Sequence, residues 1–277
     1  MTIIRLFVIL IFFSVTIGHG QEIKMMTYNI KYDNVTDTVN NWNFRKEAMV
    51  DLVKHYQAEV VGMQEVLHNQ LIYLDSGLNH YSYVGVGRDD GKTNGEYAPI
   101  FYDARKLKVL KSNTFWLSET PEKVSKGWDA SLERICTYAL FENLQDHKKF
   151  WVFNTHFDHR GKDARANSTR LVVQKIEELN SENLPVAFMG DLNLAPEEKP
   201  IQFLQKKLTD GRMSTRQAFY GPTGTSNGFD HNRVLKRRID YIFVKNFKVE
   251  SYIHIDDRME NNNHISDHLP VLATVSW

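Results

Sequence analysis

The chain has 277 residues, with 34 Lys and Arg against 34 Asp and Glu, so its formal net charge at pH 7 is zero. Hydrophobic residues make up 42% and charged residues 25%, a globular composition that excludes collagenous, low-complexity and disordered classes. A single cysteine excludes an intramolecular disulfide framework and a cysteine-rich zinc module. Zero net charge argues against a protein that binds long polyanions mainly through overall basicity.

The first twenty residues have the layout of a secretory signal peptide. Arg5 precedes a nearly unbroken apolar run, and Gly18 and Gly20 place small residues just before a cleavage point. The alternative is a transmembrane anchor, but the run is shorter than the roughly 20 apolar residues that a bilayer span requires. We therefore expect a signal peptide over 1–20 and a mature domain over 21–277 that is bacterial, secreted or periplasmic, and without a stable membrane anchor.

Short apolar segments typical of strands recur along the mature chain, with helical periodicity among them. The predicted strands cover 22–30, 59–64, 81–86, 97–102, 107–117, 134–142, 149–155, 185–189, 239–244, 248–254 and 270–276. The predicted helices cover 43–56, 68–78, 163–181 and 197–206. Glycine clusters at 85–95 and 221–228 predict loops, and no linker or repeat divides the chain, so we expect one domain. Successive strands favour an α/β fold of sheet packed on sheet, flanked by helices.

Polar side chains recur where these apolar runs end. They comprise carboxylates, imidazoles and amides, namely Asn29, Glu65, His156, Asp191, Asn193, Asp240, Asp267 and His268. Strands of one sheet that end at the same edge bring such groups into a single cleft. Carboxylate and amide oxygens are hard ligands that favour Mg²⁺ or Mn²⁺, with Ca²⁺ as a further choice. The sequence therefore predicts a divalent-metal site at this edge.

The same set of side chains fits hydrolysis of a phosphate ester. A divalent metal neutralises the phosphate, a histidine assisted by a carboxylate activates water, and amides hold the anionic transition state. The sequence contains no phosphate-binding P-loop and no G-x-S-x-G elbow, so kinase-type and serine-hydrolase chemistry lack their core parts. Taken singly, Asp191 has an alternative as a turn residue and Glu65 as a helix cap. Asp240 has an alternative as the partner of Arg237 or Arg238, and a lone His156 as a structural residue. Their joint recurrence at strand ends favours the functional interpretation.

The motifs MTYNIKYDN, VVGMQEV, FNTHFDHRG, FMGDLN, RIDYIFV and ISDHLPV, in this order, resemble those of the endonuclease/exonuclease/phosphatase superfamily. The resemblance extends from about residue 22 to the C-terminus, and GDLN and SDHLPV are its most specific motifs. It implies the DNase I-like fold, a four-layered α/β/β/α sandwich with two mainly antiparallel sheets flanked by helices. The segments FWLSETPEKVSKGWDASLERICTY and THFDHRGKDAR are similar to an uncharacterised, mostly bacterial branch.

The resemblance also implies a role for each residue at the strand ends. Asn29, Glu65 and Asp267 match the metal side of the site, with Glu65 as the direct carboxylate ligand. His268 matches the general base. Asp240 matches the carboxylate that orients this histidine, holds its tautomer and stabilises the imidazolium.

The resemblance implies roles for five further residues, which position the attacking water or contact the phosphate and its partners. Asp191 matches the residue that positions the attacking water, Asn193 an amide on the phosphate oxygens, and His156 a phosphate contact or general acid. In the DNase I-like branch a glutamate pairs with this histidine, and Glu96 lies in the corresponding segment. Arg134 falls where that branch has an arginine in contact with phosphate.

The sequence departs from better-known branches in two respects. The apurinic endonucleases carry a second acid two residues beyond the motif asparagine, and Lys31 occupies that position here. Secreted DNase I carries disulfides, which a chain with one cysteine cannot form internally. These departures leave the substrate open.

Three functional hypotheses follow. The first is a monomeric, divalent-metal-dependent phosphodiesterase or phosphatase that acts outside the cytoplasm on a small or lipid-linked phosphate ester. The alternative is an extracellular nuclease with the same mechanism, which would expose a basic strip and stacking aromatics. For a nuclease, the sequence contains one short basic run, 236–238, and four candidate stacking aromatics, namely Phe115, Trp116, Trp128 and Phe229. Burial is, however, the commoner role of aromatic side chains. A remote third is a binding module without catalysis, but no matched position is missing.

Overall fold

The structure is a computed structural model that describes residues 22–277. That range contains twelve strands and five helices. The strands are β1 (Glu22–Asn29), β2 (Val60–Gln64), β3 (Tyr81–Val84), β4 (Ile100–Asp103), β5 (Leu107–Trp116), β6 (Ile135–Asn143), β7 (Lys149–His156), β8 (Val186–Asp191), β9 (Thr209–Asp210), β10 (Asp240–Lys245), β11 (Lys248–His254) and β12 (Val271–Ser276). The helices are α1 (Trp42–Tyr56), α2 (His68–Gly77), α3 (Lys162–Leu179), α4 (Lys199–Gln205) and α5 (Gly211–Ser214).

The strands form two six-stranded sheets that pack against each other. The first sheet has the strand order β11-β12-β1-β2-β4-β3 and the second has the order β5-β6-β7-β8-β10-β9. Each sheet contains one parallel pair, β1 with β2 and β7 with β8, and its other pairs are antiparallel. The expectation of two mainly antiparallel sheets is therefore confirmed.

Alternating side chains divide each sheet between an inner core and an outer core. On β1, Met25 faces the second sheet, whereas Met26 packs with α1 and α2. On β8, Met189 faces the first sheet, whereas Phe188 packs with α3 and α4. Successive strand residues point to opposite faces, so one strand serves both layers. The result is the α/β/β/α sandwich that the sequence predicts.

A buried polar contact joins the two sheets beneath their common edge. Asn154 of β7 accepts a hydrogen bond from Gln64 Nε2 of β2 at 2.7 Å. The Asn154 amide donates to the carbonyls of Met63 and Pro99 at 2.8 and 2.9 Å. A Cβ on Gly62 would lie 2.7 Å from Asn154 Oδ1, so glycine is needed for this approach. Because buried amides require partners, these bonds fix the position of one sheet against the other.

The predicted strands and helices are all present, with boundaries that differ by a few residues. Two short elements were not predicted, β9 and α5, because two and four residues carry no hydrophobic period. The predicted signal peptide over 1–20 lies outside the described residues. Among the helices of 22–277, none combines the length and the apolar composition needed to cross a membrane.

Candidate active site

The two parallel strand pairs bring the polar strand ends to one edge of the sandwich. β1 and β2 end in register, which places Glu65 beside Asn29. In the second sheet His156 is the register partner of Asp191, the last residue of β8. Asp191 is in turn the partner of Asp240, because β10 starts where the antiparallel β8 ends. Pairing of the strands therefore determines which polar residues meet.

Left-handed backbone conformations mark the turns at this edge. Lys31, Glu65 and Asn193 have φ values of 59°, 59° and 50°. Such values are uncommon outside glycine, and strained residues of this kind occur at functional sites. Gly190 of the GDLN motif has φ 145°, and a Cβ there would collide with the carbonyl of Thr155 on β7. Only glycine therefore fits at position 190, directly before Asp191.

His268 lies against Asp240, with Nδ1 2.9 Å from Asp240 Oδ2, and both side chains are buried. Burial by itself lowers the pKa of His268, but the carboxylates of Asp240 and Asp191 outweigh burial and hold the pKa well above its usual value. The Nδ1–H group donates to Asp240, and Nε2 remains available on the other side of the ring. Arg238 pairs with Asp210 at 2.6 Å, and within residues 22–277 the ion-pair partner of Asp240 is His268, so the alternative pairing of Asp240 with Arg237 or Arg238 is wrong.

Asp191 joins the two sheets' contributions to the cluster. Its Oδ2 accepts a hydrogen bond from Asn29 Nδ2 at 3.1 Å, and its Oδ1 accepts one from the Asn193 backbone N–H at 2.9 Å. The same Oδ2 lies 3.8 Å from His268 Nε2. Burial and the negative charge of Asp240 raise the pKa of Asp191 to about 7. One oxygen of Asp191 therefore closes a turn while the other faces the cluster.

His156 lies beside Glu96, as expected, but a different residue holds this carboxylate. Arg88 donates to both Glu96 oxygens, at 2.7 and 3.1 Å, whereas His156 Nδ1 is 3.9 Å from Glu96 Oε2. Asn193 Nδ2 donates to His156 Nε2 at 3.1 Å, which leaves the imidazole proton on Nδ1. Burial, together with the charges of Arg134 and Arg88, holds the pKa of His156 well below its usual value. His156 is therefore neutral, which favours the phosphate contact over the general acid.

Arg134 is held at the wall of the cleft by residues of the THFDHRG motif. Its Nε lies 3.4 Å from Asp158 Oδ2, and its Nη2 lies 3.0 Å from His159 Nδ1. Although burial opposes the charged form of Asp158, backbone N–H groups of Gly161 and Arg160 lower its pKa to about 2. The carboxylate therefore stays ionised and fixes the guanidinium as a constant positive charge.

Glu65 and Asp267 converge on one positive charge. Lys31 Nζ lies 3.5 Å from Glu65 Oε2 and 3.4 Å from Asp267 Oδ2. Burial lowers the pKa of Lys31, but the two carboxylates outweigh burial and raise it. Glu65 also accepts hydrogen bonds from Asn29 Nδ2 and the Tyr32 backbone N–H, at 3.1 and 3.2 Å. The helix-cap alternative for Glu65 is therefore wrong.

The donor set fits a hard divalent cation. Glu65, Asn29 and Asp267 supply carboxylate and amide groups from the end of β1 and from two loops, which is the oxygen chemistry that Mg²⁺ and Mn²⁺ prefer. Within the described residues, ligand atoms of Asp191, Asp240 and His268 also lie within 4.8 Å of one another. The position between Glu65 and Asp267 already accommodates a positive charge, since Lys31 Nζ lies within 3.5 Å of Glu65 Oε2 and 3.4 Å of Asp267 Oδ2.

The predicted residues surround a cavity of about 360 Å³. Seven of them line it, namely Glu65, Glu96, Arg134, His156, Asp191, Asn193 and His268. The other three each contact a lining residue, Asn29 contacting Asp191, Asp240 contacting His268, and Asp267 contacting Lys31. All ten are therefore brought together.

Three residues in or beside the cavity wall were not predicted as functional: Lys31 and His159 line the cavity, and Arg88 contacts the lining residue Glu96. In the sequence Lys31 is only a departure from related motifs, although an ammonium two residues beyond a metal-site asparagine is itself a signal. Arg88 lies in the glycine-rich loop before β4, and His159 in the THFDHRG motif. Sequence reasoning missed Arg88 and His159 because neither follows an apolar strand directly.

The comparison with known families agrees with this geometry. A model described as the Endonuclease/Exonuclease/phosphatase family matches residues 26–268. The chain therefore belongs to this family, whose members are divalent-metal-dependent hydrolases of phosphoester bonds. It is accordingly a hydrolase that acts on phosphoester bonds.

Similar proteins include two solved structures from Bacteroides. An endonuclease/exonuclease/phosphatase from Bacteroides vulgatus is 39% identical, with a TM-score of 0.87 and coverage of 93% of this chain and 99% of that chain. A mannosyl-6-phosphatase from Bacteroides thetaiotaomicron is 36% identical, with a TM-score of 0.88 and coverage of 92% and 100%. A probable RNA exonuclease of Saccharomyces cerevisiae is 26% identical over 208 residues, which cover 67% of this chain and 40% of that protein. The chain spans between 40% and 60% of the length of the first curated relatives.

Proposed function

We propose that this enzyme hydrolyses a small phosphate ester with Mg²⁺ as its metal and a water molecule activated by His268 and Asp240. The observation that carries the proposal is the 2.9 Å contact between His268 Nδ1 and Asp240 Oδ2, at a cavity wall that also contains Asp191. Mn²⁺ and Ca²⁺ are alternatives to Mg²⁺ for an oxygen donor set.

In this proposal Asp240 and His268 act as one unit on the attacking water. Asp240 accepts the Nδ1–H of His268, so that Nε2 carries the lone pair when the ring is neutral. Nε2 removes a proton from water, and the adjacent Asp240 charge stabilises the imidazolium that forms. Asp191, 3.8 Å from Nε2, accepts the second hydrogen of that water and so positions it.

The opposite wall of the cavity supplies donors for the phosphate. Asn193, neutral His156 and the fixed charge of Arg134 all line it. Donors that are already positioned stabilise the negative charge that develops on phosphate oxygens without reorganising. A divalent cation held by Asn29, Glu65 and Asp267 supplies neutralisation of phosphate charge when bound.

A small substrate is favoured by size, charge and similarity together. A cavity of about 360 Å³ lies at the lower end of pockets that enclose a single small molecule. The chain carries no net charge that would steer a long polyanion. Because the relative from Bacteroides thetaiotaomicron that is 36% identical is a mannosyl-6-phosphatase, sugar phosphates are the first substrates to test.

The nuclease alternative is supported by the similarity to a probable RNA exonuclease. The structure removes part of the surface on which that alternative depended. Arg238 of the run 236–238 is buried in an ion pair with Asp210. Phe115 and Trp116 are buried in the core, so neither is available to stack on a base. We therefore rank the nuclease second.

We propose that the protein is exported from the cytoplasm. The support is the signal-like sequence over 1–20, and we propose that the mature enzyme acts as a monomer in the periplasm or outside the cell. Cell fractionation with N-terminal sequencing tests this proposal. Recovery of uncleaved protein in the cytoplasm would contradict it.

A substrate panel tests the proposed function. Purified 21–277 is assayed with Mg²⁺ on sugar phosphates, nucleotides, a chromogenic phosphodiester, phospholipids, RNA and DNA. We expect turnover of small esters, with His268→Ala inactive and the exposed His147→Ala, outside the cavity, fully active. Turnover of RNA or DNA alone would replace the proposal with the nuclease.

A further inference from the structure

Lys31 is a cation placed between two carboxylates that the proposed metal also requires. Its Nζ lies 3.5 Å from Glu65 Oε2 and 3.4 Å from Asp267 Oδ2. Among residues 22–277, no other lysine or arginine nitrogen lies within 4.0 Å of either carboxylate. The Lys31 side chain also lines the catalytic cavity and keeps 28% of its surface exposed. It therefore contacts both the metal side and the space for the substrate.

The backbone of Lys31 is held rigidly in an unfavourable conformation. Its φ is 59°, a region that asparagine and glycine enter at lower cost than lysine. The Lys31 carbonyl accepts hydrogen bonds from Gln70 Nε2 and Arg45 Nη2, at 3.0 and 3.2 Å, and its N–H donates to Asn29 Oδ1 at 3.1 Å. These backbone bonds do not involve the Lys31 side chain, whose ammonium contacts Glu65, Asp267 and, at 4.6 Å from the ring centroid, Tyr32.

The charge of Lys31 opposes binding of a divalent cation at the same carboxylates. Unit charges about 4 Å apart near a protein surface interact by more than the free energy of a tenfold change in affinity. A cation on Glu65 and Asp267 both repels the ammonium and takes its two partners. The tether of a four-carbon side chain allows the ammonium to move while the backbone stays fixed.

We propose that Lys31 is a positioning residue that acts as an internal counter-ion: its ammonium competes with the divalent cation for Glu65 and Asp267, and turns to the phosphate when the cation binds. The proposal rests on the proposed function, since it assumes a metal at these carboxylates. In this proposal Lys31 determines the affinity for the metal, and it contacts phosphate only when the metal is bound. Cation and phosphate then bind cooperatively through one side chain.

The experiment measures Mn²⁺ affinity of 21–277 by isothermal titration calorimetry for the wild type, Lys31→Met, Lys31→Gln and Lys31→Arg. Lys111→Met is the matched control, because Lys111 is an exposed lysine on β5 that does not line the cavity. We expect the dissociation constant to fall about tenfold or more in both neutral variants, and to return towards the wild-type value in Lys31→Arg. Circular dichroism confirms that each variant is folded.

A second measurement separates the counter-ion from a structural role. Inorganic phosphate is titrated into the Mn²⁺-saturated proteins, and we expect Lys31→Met to bind phosphate more weakly than the wild type while binding Mn²⁺ more tightly. A structural lesion would weaken both. Unchanged or weaker Mn²⁺ affinity in both neutral variants would overturn the proposal, and unchanged phosphate affinity would overturn the movement to phosphate. If neither the wild type nor the variants bind Mn²⁺, both the proposed function and the Lys31 proposal fail. If hydrolysis depends on Mn²⁺ but the Mn²⁺ affinity of the neutral variants equals that of the wild type, the Lys31 proposal alone fails.

Discussion

The imidazole of His268 lies 2.9 Å from the carboxylate of Asp240, and this contact joins the loop before β12 in one sheet to the first residue of β10 in the other. Packing of the two sheets therefore creates the pair. The same edge adds Asp191, which lies 3.8 Å from His268 Nε2 and is the register partner of Asp240.

Removing the Asp240 charge should alter the pH dependence of hydrolysis. His268 acts as a base only when neutral, so the rate falls as pH drops through its pKa, which Asp240 and Asp191 raise against the effect of burial. Asp240→Asn should lower this pKa and move the acid limb of the kcat profile to lower pH. It should also reduce kcat by about a hundredfold or more, because base assistance contributes 10²–10⁴-fold. Asp256→Asn, outside the cavity, is the control, and an unmoved acid limb would contradict the pairing.

Removing Arg88 should make His156 easier to protonate. Arg88 holds both oxygens of Glu96, and its charge contributes to the lowered pKa of His156, behind burial and Arg134. In Arg88→Met one positive charge is lost and Glu96 is released towards His156, so the pKa of His156 should rise. Proton NMR titration of the ring measures this change. Arg105→Met, at an exposed ion pair, should leave the value unaltered, and a lower pKa in Arg88→Met would contradict the expectation.

Burial of His254 should make the protein less stable in acid. His254 Nδ1–H donates to the Pro222 carbonyl at 2.7 Å, and burial lowers the pKa of His254 to about 4. Between pH 6.5 and 4 the unfolded chain binds a proton that the folded chain does not, so stability falls as pH falls. The loss from pH 7 to pH 5 should be about 2 kcal/mol for this residue. Urea unfolding at both pH values should show a smaller difference in His254→Gln than in wild type or His147→Gln, and equal differences would contradict this.

The glycine of the GDLN motif should be indispensable for stability. Gly190 has φ 145°, and a Cβ there would collide with the Thr155 carbonyl of the neighbouring strand. Gly190→Ala should therefore lower the free energy of unfolding by about 3 kcal/mol or more, from backbone strain and overpacking together. Gly228→Asn is the matched control, because its φ of 63° suits asparagine and the nearest atom is the mobile Arg233 guanidinium. Equal stability of both variants in urea would contradict the steric explanation.

The sequence alone predicts those features of the fold and the site that depend on a single short segment of the chain. The apolar runs predicted the strands, and the polar residue after each run predicted its place at the edge, as for Glu65 after β2 and Asp191 at the end of β8. Both signals are local, because strand pairing brings strand ends together regardless of the loops between them. The order of motifs then implied the four-layered fold.

Contacts between loops could not be predicted in the same way. The placement of Lys31 between Glu65 and Asp267 depends on how side chains from separate parts of the chain approach, and the ion pair of Arg88 with Glu96 depends on how one irregular loop folds back on itself. The pKa values of His156 and Asp191 depend on burial and on neighbouring charges, which have no signature in the chain. Only the packed structure supplies these quantities.

The most direct test is the initial rate of hydrolysis of a small phosphate ester by 21–277, with and without EDTA, for the wild type and His268→Ala. We expect EDTA to abolish the wild-type rate and added Mg²⁺ to restore it, because the metal neutralises the phosphate. With Mg²⁺ present, His268→Ala should lose about a hundredfold or more, since the base that faces Asp191 is gone. Full activity in EDTA, or a wild-type rate in His268→Ala, would contradict metal-dependent hydrolysis by a His268–Asp240 pair.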